Sequence, residues 1–175
     1  MGANKKHDRT EEQIRGMIMR KKTIPARIEG TIIDVETTGL PREGAEVITL
    51  GTVSGNRLQI IQRTNESDFL RTIKHPLSKL PRPFCAFNKP FEEAMLRIPV
   101  DEELQAEPYE KKSRAITVSK LRDPFNGNGF DVIGTWNKYR STGDLRYLRL
   151  IMDHNESDLL LETCLLIVRH SKDGG

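Results

Sequence analysis

The stretch Ile32-Ile33-Asp34-Val35-Glu36-Thr37-Thr38-Gly39-Leu40 constrains this chain more than any other. A β-prone apolar run carries two carboxylates two residues apart and ends in a Thr-Thr-Gly turn. Side chains alternate faces along a strand, so Asp34 and Glu36 project from the same side. At a rise of ~3.3 Å per residue they stand about 7 Å apart. Two acids with that span can jointly hold two divalent cations ~4 Å apart, the geometry of metal-assisted phosphodiester hydrolysis. On the buried face of a central strand an unpaired acid is costly, so the pair calls for a cation or a cationic partner.

The surrounding pattern predicts how that strand is housed. Residues 10–22 read as a short helix with Ile14, Met17 and Ile18 as a thin apolar stripe, ended by Pro25. Glu29 to Glu36 reads as the first strand and Val47 to Val53 as the second. Ser54-Gly55-Asn56 reads as a tight hairpin into a third strand, Leu58 to Gln62. Residues 66–74 read as a helix with Asn65 as cap. Phe84 to Phe87 reads as a short buried strand parallel to the first, and Pro90 opens a helix near Phe91 to Leu96. Gly143-Asp144 starts another helix, and Asp153 with Glu156 resembles a capping box that starts a further one near His154. Three antiparallel strands followed by helix, strand and helices predict a single α/β domain: a mixed five-stranded sheet flanked by helices on both faces.

Charge is unevenly distributed. Residues 1–27 hold eight Lys/Arg against three Asp/Glu, whereas the other 148 hold 20 against 22. The expectation is a basic N-terminal extension, residues 1–27, able to follow phosphates, ahead of a catalytic domain over residues 28–171. With 36% hydrophobic and 30% charged residues, and no apolar run of membrane-spanning length, no membrane association is expected. Met1-Gly2 suggests myristoylation, but Lys6 stands where that motif wants Ser or Thr. No secretory h-region is present in the N-terminal residues. Cys85 and Cys164 read as reduced core thiols, so a cytoplasmic location is expected. Lys111, Lys112 and Arg114 read as a solvated face, with a phosphate track as the alternative, and Trp136 and Tyr139 read as packing residues.

Two further segments carry chemistry. Ala86-Phe87-Asn88-Lys89-Pro90-Phe91-Glu92-Glu93-Ala94-Met95-Leu96 places an acid at a strand-to-helix junction, with Glu93 competing for the role if the register slips. His154-Asn155-Glu156-Ser157-Asp158 puts a His and an Asp on one helix face, one turn apart. An Asp there can ligate a cation while the imidazole faces its water, and an unperturbed pKa of about 6.5 suits it to take a proton near neutrality.

In this order the three segments resemble the DEDD superfamily of 3′–5′ exonucleases, which has a ribonuclease H-like fold. IDVETTGL matches the first motif closely. In the second motif Glu92 stands where the family carries Asp, and in the third His154 stands at the spacing the family gives to Tyr. The run Trp136-x-Lys-Tyr139…Thr142-Gly-Asp-Leu145…His154-Asn155-x-x-Asp158, with the Gly-rich loop Asn126–Gly129 before it, resembles the YprB-like branch of predicted exonucleases. The resemblance spans roughly residues 28 to 170. It implies that Asp34, Glu36, Glu92 and Asp158 hold two Mg2+ or Mn2+ ions and that His154 is the general base. It also implies that Thr37, Thr38, Leu40, Asn88 and Phe91 shape the pocket for the 3′ end of DNA or RNA. The alternative on the same fold is a catalytically weak nucleic-acid-binding or scaffolding module. An endonuclease or a 5′–3′ exonuclease would use the same metals on a differently threaded strand.

Overall fold

The computed structural model describes residues 9–14, 16–65, 68–107, 111–112 and 122–173. Met1, Gly2, Lys6 and Arg114, which figure in the expectations above, lie outside them. The elements run β1 (Arg9–Ile14), β2 (Met17–Thr37), β3 (Val47–Arg63), α1 (Phe69–Leu77), β4 (Phe84–Ala86), α2 (Lys89–Leu96), β5 (Glu102–Glu103), α3 (Phe130–Thr142) and α4 (Leu145–Asp173), with a 3-10 turn at Pro41–Glu43. This is the expected α/β architecture. β1, β2 and β3 are antiparallel neighbours, β4 lies parallel to β2, and β5 lies parallel to β4. Among the described residues no helix is long and apolar enough to cross a membrane.

The antiparallel trio differs from the expected one. The described residues of 10–22, namely 10–14 and 16–22, form a β-hairpin, not a helix: Gly16 turns with φ +81°, and β1 pairs with residues 17–22 of β2. The reason is tertiary. The second half of β3 offers an open edge, and residues 17–23 of β2 pair along it, which a helix could not do. Ser54-Gly55-Asn56 is no hairpin but the middle of β3. Gly55, at φ +58°, sits opposite Ile28 where the ladder slips register, so the left-handed residue bends the strand without reversing it. Pro25 and Gly30 fall in the matching irregular stretches of β2.

The 27/28 boundary lies inside β2, and the described part of the extension, residues 9–14 and 16–27, is built into β1, the Gly16 turn and β2. Arg20 is fully buried and bridges Glu11 (2.9 Å), Asp153 (2.7 Å) and Glu156 (3.1 Å), while Lys22 reaches Glu156 at 2.7 Å. Those contacts explain a second correction. Asp153 and Glu156 face β2 as ion-pair partners inside α4, so no helix begins at His154 and α4 runs unbroken from Leu145. Likewise Asp68, not Asn65, caps α1, accepting from Arg71 N at 3.1 Å.

Period-two alternation along β2 divides the core. Ile33, Val35 and, from β3, Leu50 pack with α1 and α2 residues such as Phe69, Ile73 and Met95. Ile32, Ile48 and Val53 pack on the other face with Trp136 of α3 and Leu148, Ile151 and Leu159 of α4. Trp136 is buried, as expected, with Tyr139 beside it at 5.5 Å between ring centroids. Cys85 is buried and burial pushes its thiol up to about 12, but Cys164 lies on the outer face of α4, exposed, contrary to expectation.

Candidate metal centre and its cleft

Alternation that sends Ile33 and Val35 toward α1 and α2 sends Asp34 and Glu36 toward α4. The two acids are 5% and 7% exposed. Across from them α4 presents His154, Asn155, Asp158 and Glu162, residues spaced to share one face. α2 contributes Glu92 in its first turn. Asn88 caps that helix, its Oδ1 accepting from Phe91 N at 3.2 Å, which fixes where Glu92 emerges. Glu92 is 4% exposed and its Oε2 makes no hydrogen bond. Glu93 turns away and accepts from Val100 N at 3.0 Å, so the competing register is settled in favour of Glu92.

Asn155 joins the two motif acids. Its Nδ2 donates to Asp34 Oδ2 at 2.7 Å and lies 3.4 Å from Glu36 Oε1. This close approach of α4 to the sheet depends on Gly51, the β3 residue opposite Asp34: a Cβ there would lie 2.0 Å from Asn155 Oδ1.

His154 is held from behind. Its Nδ1 lies 2.8 Å from Asp123 Oδ1, and an ionised carboxylate can only accept, so Nδ1 carries the proton. In the neutral ring that leaves the Nε2 lone pair facing Glu36 Oε1 at 3.9 Å and Asp158 Oδ2 at 4.0 Å. Asp123 is itself fixed by the Asp-Pro-Phe-Asn-Gly loop, accepting from Phe125 N at 2.9 Å and from Gly127 N, and the Phe125 ring lies 5.2 Å from the imidazole. The sequence signal for this device is an Asx-type turn at Asp123, a residue not among the expected site residues.

Lys112 is the largest surprise, because it read as part of a solvated face. Its Nζ lies 2.5 Å from Asp34 Oδ1, 3.0 Å from Asp158 Oδ2 and 2.6 Å from Glu162 Oε1, with the side chain 18% exposed. Burial pushes Asp34 up and Glu36, Glu92 and Glu162 well above the ordinary carboxylate range; the Lys112 ammonium opposes that rise, most strongly at Asp34 and Glu162. Burial would by itself lower Lys112, but Asp158, Asp34 and Glu162 outweigh it and hold the ammonium well above its usual value.

These groups line a cleft of about 280 Å³. Asp34, Glu36, Thr37, Leu40, Asn88, Phe91, Glu92, His154 and Asp158 all border it, so the structure brings together every expected site residue except Thr38. The Thr38 hydroxyl instead accepts from Glu46 N at 2.9 Å and shapes the turn. The Thr37 hydroxyl donates to Gly39 O at 2.7 Å. Phe130 and Ile133 of α3 complete an apolar wall with Leu40 and Phe91.

The donor set fits a hard divalent cation. Glu36, His154 and Asp158 offer ligand atoms within 4.8 Å of one another, Glu92 with its orphaned Oε2 lines the same cleft, and oxygen predominates. Comparison of the chain with protein-family models, with curated proteins and with solved structures finds no match.

Proposed function

We propose that this protein is a divalent-metal-dependent nuclease, a 3′–5′ exonuclease that hydrolyses terminal phosphodiester bonds of DNA or RNA. One observation carries the reading: acids from three separate chain segments, Asp34 and Glu36, Glu92, and Asp158, line one cleft with an imidazole whose Nε2 faces Glu36 and Asp158. Asp34, Glu36, Glu92 and Asp158 are the residues to hold Mg2+ or Mn2+. Such ions lower the pKa of a bound water and offset charge on the leaving oxygen.

The chain's own groups supply the rest. His154 Nε2 takes a proton from the attacking water, and Asp123 keeps Nδ1 protonated so that Nε2 is the free position. The water oxygen bonds to phosphorus, the bond from phosphorus to the 3′ oxygen of the penultimate nucleotide breaks, and that oxygen takes a proton from solvent. The products are a nucleoside 5′-monophosphate and a strand one residue shorter. Leu40, Phe91 and Phe130 form an apolar wall suited to the terminal base.

A second reading draws on Lys112. An ammonium already bridging Asp34 and Asp158 suits a catalytically weak nucleic-acid-binding or scaffolding module. The test is an end-labelled digest of single- and double-stranded DNA and RNA with Mn2+, run beside Asp34→Ala. Stepwise 3′ shortening lost in the variant supports the nuclease. Binding without cleavage in any arm favours the module, and cleavage that survives Asp34→Ala overturns the site.

A further inference from the structure

Phosphodiester hydrolysis by carboxylates works with two positive centres about the scissile group. The cleft already holds one. The Lys112 ammonium touches oxygens of Asp34, Asp158 and Glu162 at 2.5–3.0 Å, the contact set of a bridging cation. Two of those three acids are the ones that sequence motifs assign to metal. The third, Glu162, lies one helical turn beyond Asp158, is fully buried, and belongs to none of the motifs. A buried acid that far into α4 is costly unless a cation is supplied to it, and the cation supplied is Lys112. Asp158 Oδ2, the oxygen Lys112 contacts, also borders a second position with Glu36 Oε1 and His154 Nε2, and among the described residues no ammonium contacts those two atoms.

We infer that Lys112 stands permanently at one of the two cation positions, so that this protein takes a single divalent ion, beside Glu36 and Asp158, with the tethered ammonium as the second positive centre. The inference rests on the nuclease reading and specifies its cation inventory. The physical case is one of competition. A tethered ammonium is present at every site without loss of translational freedom, whereas an ion arriving from solution must shed water and displace it from Asp34 and Asp158 together. Glu162 tips that competition, because its Oε1 gives the lysine a third contact at 2.6 Å and its remaining oxygen is also buried.

The test counts ions. The full-length chain is titrated with Mn2+, and bound metal per chain is read by the paramagnetic resonance of the free ion and by calorimetry. Wild type, Lys112→Ala, Lys112→Met and Lys112→Arg are compared, with circular dichroism and thermal melting to show that each folds. The expected result is one ion in wild type and in Lys112→Arg, and two in Lys112→Ala and Lys112→Met. Two ions in wild type, or one in all four proteins, overturns the role of Lys112 and leaves the metal-dependent nuclease standing. No ion in any protein overturns both. No ion in wild type with one or two in Lys112→Ala makes the lysine a block rather than a substitute, and overturns the inference in favour of the binding module.

Discussion

Gly51→Ala isolates the contact on which the site's assembly depends. The added methyl would lie 2.0 Å from Asn155 Oδ1, 2.9 Å from Asn155 Cγ and 2.6 Å from Leu159 Cδ1. Ordinary contacts begin beyond 3.4 Å, so both side chains must retreat by about 1 Å in a packed interior that has little slack. α4 has no easy path away, because Asp153 and Glu156 are tied to Arg20 while Leu148 and Ile151 are fully buried. Asn155 therefore turns, and its 2.7 Å bond to Asp34 is lost. Overpacking of this kind costs about 1–3 kcal/mol, and a hydrogen bond to a charged group contributes about 1.5–3 kcal/mol. Removing a strand glycine returns only about 0.5–1 kcal/mol of backbone entropy. The steric and hydrogen-bond losses overlap, so the net expectation is a destabilisation of about 2–4 kcal/mol. With a urea m-value of about 2 kcal/mol/M that moves the midpoint down by about 1–2 M. The assay is equilibrium urea unfolding followed by circular dichroism, with Asn155→Ala and the double variant to close the cycle. The double variant should recover about 0.5–3 kcal/mol relative to additivity. A Gly51→Ala protein within about 0.5 kcal/mol of wild type would refute the reasoning, since surface-like tolerance cannot coexist with that contact.

Other expectations are as direct. Phe130 is 71% exposed yet borders the cleft, so Phe130→Ala should leave melting unchanged and weaken binding of a single-stranded 3′ end by about 5–150-fold, the value of one stacked base; fluorescence anisotropy with Asp34→Asn as background measures it, and unchanged affinity removes the stacking role. Arg20→Ala removes the buried guanidinium shared by Glu11, Asp153 and Glu156, leaving Lys22 on Glu156, and should cost about 3 kcal/mol in urea unfolding, whereas Arg20→Met should cost less. The metal-free chain should lose stability as pH rises from about 4.5, the ordinary glutamate value, through the raised values of Glu36, Glu92 and Glu162. The sign follows because the folded state binds more protons than the unfolded one across that window, so each raised carboxyl destabilises once it must ionise. Thermal melting in chelator from pH 5 to 8 checks this, and Glu162→Gln should flatten the fall; a melting temperature that rises across that range contradicts it. Mn2+ at pH 7.5 should restore the loss by binding the folded state alone.

The sequence by itself determined the pieces of the site that depend on local geometry. Asp34 and Glu36 share a face because strands alternate; Glu92 opens a helix because Asn88 and Pro90 start one there; His154 and Asp158 align because four residues make a helical turn. The same local logic located β4, α2 and the start of α4. It failed where a partner distant in sequence decides the outcome. Residues 10–22 carry a weak helical stripe, and only the open edge of β3 makes their first strands a hairpin. Asp153 and Glu156 look like a cap until Arg20 stands opposite them. Only the tertiary structure set Lys112 among Asp34, Asp158 and Glu162, placed Asp123 behind His154, and made Gly51 the gap through which Asn155 reaches Asp34. Dihedral preference and periodicity are properties of neighbouring residues, whereas charge compensation and close packing are settled between chain segments that meet only after folding.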